Sequence, residues 1–188
     1  MLNFFAIDKA ILFFLNGINF KLLDYFMILI SLLGEYAAIW LFLCLLSLSF
    51  DKKNGKKITF LYLSSIAVLL LIEAIIHYLY FRPRPYVAFQ NLRILIPLPT
   101  DSSLPSGHVF SAFAGAVIFS HFYKKFKIPL YTFAFLTMIS RVYLGAHYPS
   151  DVIAGMIEGI LLGILAIYFF KKIKIPRRKN NKVNIKNK

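Results

Sequence analysis

Long runs of apolar residues constrain this chain more than any other feature of its sequence. Five runs approach the roughly 20 apolar residues that a helix needs to cross a bilayer, and they cover residues 25–50, 58–81, 106–123, 128–143 and 152–170. Such runs must be helical in a membrane, because lipid offers no partner for backbone N–H and C=O groups. The sequence therefore predicts an all-α integral membrane protein, a bundle of five transmembrane helices.

Residues 4–20 are also apolar, but Asp8, Lys9 and Asn16 break the run. A short apolar run with charges on it is typical of an amphipathic helix in the membrane interface. We expect such an N-terminal interfacial helix before the bundle; if it spans, the protein has six transmembrane helices. Gly34 and Glu35 interrupt the first span, so part of that span is expected to be irregular or to face protein.

The composition agrees with a membrane protein, since 59% of the 188 residues are hydrophobic and only 16% are charged. Residues 171–188 hold nine of the 22 Lys and Arg residues and no acidic residue. A basic tail of this kind is expected to face the cytoplasm and to contact anionic lipids. Nucleic-acid binding is not expected, because no nucleic-acid recognition motif accompanies the net charge of +14. We predict a membrane-embedded domain over residues 1–175 and a disordered tail over residues 176–188.

The basic residues also orient the helices. With five spans, one side receives the 51–57 loop, the 124–127 turn and the C-terminal tail, which together hold 16 Lys and Arg residues against six on the other side. Basic loops tend to remain in the cytoplasm. The polar loops at residues 82–105 and 141–151 are therefore predicted to face outward from a bacterial cytoplasmic membrane, with the C-terminus inside.

Three polar stretches are predicted to meet at that outward face. They are His-Tyr-Leu-Tyr-Phe-Arg-Pro-Arg-Pro at residues 77–85, Pro-Ser-Gly-His at residues 105–108, and Ser-Arg-Val-Tyr-Leu-Gly-Ala-His-Tyr-Pro-Ser-Asp at residues 140–151. His147 precedes Asp151 by four residues, which puts both side chains on one face of a helical turn. An imidazole held by a carboxylate, with a guanidinium close by, is suited to attack on a phosphate ester.

Other residues in these stretches are also suited to a phosphate. Arg84 and Arg141 carry planar guanidinium groups that match phosphate oxygens. Ser106 and Gly107 precede an apolar helix, whose N-terminal N–H groups attract anions. Because the arginines would neutralise the phosphoryl charge, no metal or other cofactor is expected. Any one of these residues could be an ordinary interfacial side chain, but so many ionisable groups at one membrane face indicate function.

The three stretches together resemble the type 2 phosphatidic acid phosphatase family, a family of integral-membrane lipid phosphatases. Its pattern is Lys-x6-Arg-Pro, then Pro-Ser-Gly-His, then Ser-Arg-x5-His-x3-Asp. The second and third parts match fully at residues 105–108 and 140–151. The first part matches at Arg84 and Pro85, but His77 stands where the family has lysine.

The resemblance implies a role for each matched residue. His147 would be the nucleophile that forms a phosphohistidine, Asp151 would hold its ring, and His108 would protonate the leaving oxygen. The residues implied in phosphate binding are Arg84, Arg141, Ser106, Gly107 and His77.

The Arg-Pro-Arg-Pro run and the small size of the chain resemble the undecaprenyl-diphosphatase branch of the family. We therefore expect hydrolysis of undecaprenyl diphosphate to undecaprenyl phosphate and phosphate. Phosphatidylglycerophosphate, phosphatidate and lipid A remain alternative substrates, because the motifs recognise phosphate and not the lipid tail. The lysine-to-histidine departure leaves open a catalytically decayed, lipid-binding scaffold.

Further residues in the apolar runs leave two questions open. Acidic side chains at Glu35, Glu73 and Glu158 would also suit a transporter, although the spans do not form two matching halves with broken helices. Glycines recur every four residues in the last span, at positions 155, 159 and 163. Such a face packs closely against a helix of the same chain or of a second copy, so the oligomeric state stays open.

Overall fold

The computed structural model describes residues 4–97 and 99–172, and all regular structure within these ranges is helical. The α-helices are α1 (Phe4–Asn16), α2 (Lys21–Gly34), α3 (Ala38–Phe50), α4 (Gly55–Leu79), the short α5 (Pro85–Ala88), α6 (Gly107–Phe122), α7 (Lys127–Tyr143) and α8 (Pro149–Lys172). The predicted all-α class is confirmed. The tail predicted over residues 176–188 lies outside the described residues.

Three helical segments in the described ranges are long and apolar enough to cross a membrane. They are Lys21–Phe50, which combines α2 and α3, then Gly55–Leu79 and Pro149–Lys172. α6 and α7 complete the five predicted spans, but with 16 and 17 residues they are shorter than the roughly 20 residues of a full crossing. α1 has 13 residues, which makes it too short to cross a bilayer.

The first span is broken where Gly34 and Glu35 predicted an irregularity. A 3-10 turn over Glu35–Ala37 separates α2 from α3, and Tyr36 and Ala37 have left-handed φ angles of 49° and 58°. Non-glycine residues adopt this conformation at a cost, and it is often found at functional sites. The break turns the chain between Gly34 and Ala37 toward the cavity described below.

α6 lies at the centre of the bundle. It contacts α3, α4, α7 and α8, and all of its residues from Val109 to Phe119 are buried. A helix that is apolar on every face is typical of such a central position. Gly115 allows the ring of Trp40 to lie directly on the α6 backbone, since an added Cβ would be 2.3 Å from that ring. The close packing of α6 therefore fixes the position of the residues at its N-terminal end.

The glycine face of α8 packs against α6 within the same chain. A Cβ at Gly155 would lie 2.6 Å from the carbonyl oxygen of Ser106, and one at Gly159 would lie 2.5 Å from that of Phe110. These distances leave no room for a side chain, so the two backbones meet directly. The sequence left open whether this face packs against a helix of the same chain or of a second copy, and in the structure it packs against α6 of the same chain.

Candidate active site

The three polar stretches meet at one end of the bundle, as predicted. α4 and α7 end there, while α6 and α8 begin there. Residues of these stretches line a cavity of about 870 Å³. The sequence-predicted site residues on its wall are His77, Arg84, Gly107, His108, Arg141 and His147. The remaining two, Ser106 and Asp151, are fully buried and joined by a hydrogen bond from the Ser106 N–H to the Asp151 carbonyl at 3.3 Å.

His147 lies in the loop between α7 and α8, and its imidazole is held by a backbone carbonyl of the connection between α5 and α6. Its Nδ1 lies 2.7 Å from the carbonyl oxygen of Ser103, and its Nε2 lies 3.2 Å from Nη1 of Arg84. A carbonyl oxygen only accepts hydrogen bonds, so Nδ1 must carry the ring hydrogen. The lone pair of the neutral ring is then on Nε2, the nitrogen next to Arg84.

The surroundings of His147 keep its ring neutral. Burial is the main cause that lowers the pKa of His147 to about 4, and the Arg141 and Arg84 guanidinium groups act in the same direction. The Asp151 carboxylate opposes them by favouring the charged ring. At neutral pH the ring is therefore uncharged, which is the form that can attack a phosphorus atom.

Asp151 does not make the predicted hydrogen bond to the imidazole. Its Oδ2 is 3.8 Å from Nδ1 of His147, beyond hydrogen-bond length, and it accepts a bond from the Tyr148 N–H at 3.0 Å instead. The physical reason is position: Asp151 lies in the first turn of α8, where its carboxylate satisfies a free backbone N–H. The carboxylate thus fixes the backbone beside His147, while Ser103 orients the ring.

Arg84 enters the site with hydrogen bonds from each of its three guanidinium nitrogens. Its Nη1 donates to the Ala146 carbonyl at 3.2 Å, and its Nη2 donates to Oδ1 of Asp101 at 2.7 Å. The side chain is 5% exposed, so little rotational freedom remains. The arginine that matches the first motif therefore lies beside His147.

Arg141 approaches the cavity from the end of α7. Its Nη1 bonds the Ser31 hydroxyl of α2, and its Nε has no hydrogen-bond partner among the described residues. The side chain is 3% exposed. A buried guanidinium with an unused donor is costly without an acceptor, so Arg141 is well suited to bind an anion in the cavity.

The start of α6 presents fewer backbone donors than predicted. The Ser106 N–H is already engaged by the Asp151 carbonyl and is not available to an anion. The Ser106 hydroxyl, in contrast, is buried without a partner in the described structure. Gly107 faces the Glu73 carboxylate, because an added Cβ would be 2.6 Å from Glu73 Oε1.

The two remaining histidines lie on other parts of the cavity wall. His108 is in the first turn of α6, where its ring lies 3.6 Å from the position of a Cβ added to Gly34. His77 is in the last turn of α4, and its Nε2 is buried with no hydrogen-bond partner among the described residues. His77 therefore has a donor or acceptor to offer to a molecule in the cavity.

Comparison with known proteins identifies the family of the chain. The family model of the PAP2 superfamily matches residues 58–175. The chain belongs to the PAP2 superfamily. Undecaprenyl-diphosphatase BcrC of Bacillus subtilis (strain 168) is 34% identical to this PAP2 protein over 151 residues, which are 79% of this chain and 76% of BcrC.

Two crystal structures have the same fold as this PAP2 protein. Aquifex aeolicus LpxE superposes with a TM-score of 0.79 at 27% identity, covering 89% of this chain and 99% of LpxE. The PAP2-type phosphatidylglycerolphosphate phosphatase of Bacillus subtilis superposes with a TM-score of 0.71 at 27% identity, covering 92% and 88%. Family membership and these relatives identify the protein as an integral-membrane lipid phosphatase.

Several residues that build this PAP2 site were not predicted. Ser31, Asp101 and Ser103 hold Arg141, Arg84 and His147 respectively. Ser31 is a single polar residue in an apolar run, and the other two stand in a polar connection without periodicity. No sequence pattern marks them, because their role depends on which loop comes to lie beside which helix.

The neutral state of His147 can be tested by NMR of protein labelled with isotopes on its histidine rings. The chain has four histidines, so the spectrum is simple, and His147→Gln assigns the signal. We expect its ring to become protonated around pH 4, because burial and two arginines disfavour the charge. A midpoint at the ordinary histidine value would contradict the described environment.

Proposed function

We propose that this lipid phosphatase hydrolyses undecaprenyl diphosphate to undecaprenyl phosphate and phosphate. The observation that carries the proposal is the similarity to undecaprenyl-diphosphatase BcrC, which is 34% identical over most of both chains. The cavity supports it, because its wall holds histidines and arginines as well as apolar side chains. A lipid with a phosphorylated head likewise combines charged and apolar groups.

Some apolar residues that line the cavity are also exposed on the surface of the bundle. Leu70 of α4 and Tyr36 of the 3-10 turn line the cavity, and they are 60% and 88% exposed, on a surface that lipid would cover. A polyprenyl chain could therefore remain in the bilayer while its diphosphate enters the cavity.

In the proposed first step, Nε2 of His147 attacks the terminal phosphorus of the diphosphate. The bond between that phosphorus and the bridging oxygen breaks, and His108 donates a proton to the departing oxygen. Arg84 and Arg141 bind the phosphoryl oxygens, where charge accumulates during transfer. A phosphoryl oxygen replaces Nε2 as the acceptor for Arg84, which frees the ring nitrogen to react.

In the proposed second step, water attacks the phosphohistidine. His108 accepts a proton from the water, the bond between phosphorus and Nε2 breaks, and phosphate leaves. His147 returns to its neutral form with its hydrogen still on Nδ1. The two arginines supply the positive charge throughout, so the proposed reaction uses no metal ion.

We propose that this chemistry takes place at the outer face of a bacterial cytoplasmic membrane. The three polar stretches lie at the end of the bundle opposite to the 51–54 loop and the Lys124–Phe126 turn. Those two connections carry lysines at positions 52, 53, 124 and 125. The positive-inside rule then assigns the cavity to the outside.

Phosphatidylglycerophosphate is the second candidate substrate. The Bacillus subtilis structure described as a phosphatidylglycerolphosphate phosphatase has the same fold at 27% identity. The polar residues of the cavity recognise a phosphoryl group in either lipid. The preference must then come from the tail and from the second phosphate.

The substrate proposal is tested by phosphate release from purified full-length protein in buffer that contains EDTA. Undecaprenyl diphosphate should give a kcat/KM roughly 10-fold or more above those of phosphatidylglycerophosphate, phosphatidate and lipid A. His147→Ala should abolish release. The matched control is His121→Ala, which removes a histidine from the other end of α6 and should leave release unchanged.

Each departure from that result has a definite meaning. A higher kcat/KM with phosphatidylglycerophosphate would favour the second candidate. Folded protein that releases no phosphate from any of these lipids would indicate a lipid-binding scaffold. Loss of activity in EDTA that magnesium restores would contradict the metal-independent reaction.

The role of His77 is tested by restoring the lysine of the family pattern. His77 has a buried Nε2 without a partner among the described residues, and a lysine would bring an ammonium group to the same part of the cavity wall. We expect His77→Lys to raise kcat/KM for the lipid diphosphate and His77→Gln to lower it. Unchanged kcat/KM in both folded variants would show that His77 does not contact the phosphate.

A further inference from the structure

The N-terminal helix α1 turns a narrow buried face, which includes two polar residues, toward the catalytic loops. Asp8, Leu12 and Asn16, spaced four residues apart, are 7%, 0% and 3% exposed. On the other side of α1, Phe14 is 72% exposed and Ile11 is 42% exposed. A helix with this division lies along the bundle with its apolar side toward lipid, so the two buried polar residues need partners within the protein.

Asp8 finds its partners at the start of α8. Its Oδ1 accepts a hydrogen bond from the Ser150 N–H at 2.9 Å, and its Oδ2 accepts one from the Ser150 hydroxyl. Oδ2 also forms an ion pair with Nη2 of Arg82 at 2.8 Å. A carboxylate at a helix N-terminus is favoured by the free N–H groups and the helix dipole. Asp8 thus fixes the first turn of α8 from outside that helix.

Arg82 connects Asp8 to Asp151. Its Nη1 forms an ion pair with Oδ1 of Asp151 and donates to the Ser150 hydroxyl at 2.7 Å. The guanidinium lies 4.1 Å from the centre of the Tyr148 ring, within cation–π distance. One side chain therefore contacts α1, the first turn of α8 and the residue that follows His147.

Arg82 is separate from the phosphate-binding residues. Arg84, two positions later, lines the cavity and contacts His147, whereas Arg82, Asp8 and Asp151 are not on the cavity wall. The two arginines of the Arg-Pro-Arg-Pro run thus face different partners. Arg82 can affect the reaction only through the groups that it holds.

Asp151 transmits this contact to the nucleophile. Its carboxylate is fully buried. Oδ1 forms an ion pair with Arg82, and Oδ2 accepts a hydrogen bond from the Tyr148 N–H. Oδ2 also lies 3.8 Å from Nδ1 of the His147 ring. A buried carboxylate that loses its cation must move or become protonated. Either change alters the backbone at residues 147–148, and this backbone sets the direction of the His147 ring.

We propose that Arg82 and Asp8 are positioning residues that hold Asp151 and the first turn of α8, so that α1 is part of the catalytic apparatus. The inference rests on the proposed function, because it assumes that His147 and Asp151 take part in the reaction. It assigns a purpose to the first arginine of the Arg-Pro-Arg-Pro run, which the family pattern does not include. It also explains why an acidic residue stands in an apolar N-terminal helix.

The test begins with steady-state phosphate release by purified full-length variants. Arg82→Gln should lower kcat by about 10- to 100-fold, the range found when a group that orients a metal ligand is removed, with little change in KM. Asp8→Asn should have a smaller effect in the same direction, because Arg82 still contacts Asp151. Arg82→Lys should lie between Arg82→Gln and the parent protein, since an ammonium group cannot bridge two carboxylates as a guanidinium does.

The matched control is Lys9→Gln, which removes a charge from the same helix at the position next to Asp8. Lys9 lies over the rings of Phe13 and Phe89 and has no contact with Asp151, so kcat should be unchanged. Circular dichroism and thermal unfolding in detergent show which variants are folded. If Arg82→Gln does not fold, Arg82→Lys and Asp8→Asn carry the test.

A double-mutant cycle with Asp151→Asn decides whether Arg82 acts through Asp151. On the Asp151→Asn background, Arg82→Gln should lower kcat by less than about threefold, because the group it holds is already altered. A full, additive loss of kcat would overturn the proposal, as would a raised KM with kcat retained. Unchanged kcat in folded Arg82→Gln, with kcat lowered by Asp151→Asn, would overturn the positioning role alone. Full activity in both His147→Ala and Asp151→Asn would overturn the proposed function and this inference with it.

Discussion

The glycines at positions 155, 159 and 163 let α8 approach α6 until backbone meets backbone, and the site depends on that approach. In the bilayer, close packing of small residues replaces the hydrophobic effect as a source of helix association. Here it brings the Ser106 N–H to the Asp151 carbonyl. The Pro-Ser-Gly-His stretch and the stretch that ends at Asp151 are therefore held in register by the helices themselves. Because α6 is buried on every side, this register has little freedom to change.

The arginines near the site differ in whether an acidic side chain pairs with them. Arg84 is paired with Asp101, and Arg82 is paired with two aspartates. Arg141 differs, because its contacts among the described residues leave the Nε donor unused. Isolated charges at this depth are costly, and an anionic substrate would supply what Arg141 lacks. This contrast supports the proposal that phosphate binds between Arg141, Arg84 and His147.

Much of the fold and most of the site residues follow from the sequence. Apolar run length predicts the spans, and strict spacing predicts that His147, His108 and Arg84 face one cavity. The partners of these residues do not follow from it. Ser103 orients His147 through its backbone, which every residue possesses, so no side-chain pattern could indicate it. Asp151 was expected to hold the ring directly, but a free N–H at the start of α8 takes its carboxylate.

The central claim is that one imidazole, kept neutral by burial, receives the phosphoryl group. It is tested most directly by quenching His108→Ala in alkali during turnover of a lipid diphosphate labelled with ³²P at its terminal phosphate. Loss of the general acid–base group should slow hydrolysis of the intermediate, so label should be found on His147, stable to alkali and labile to acid. His147→Gln in the same background should remain unlabelled. Continued phosphate release without labelled protein, or label on another residue, would contradict the account.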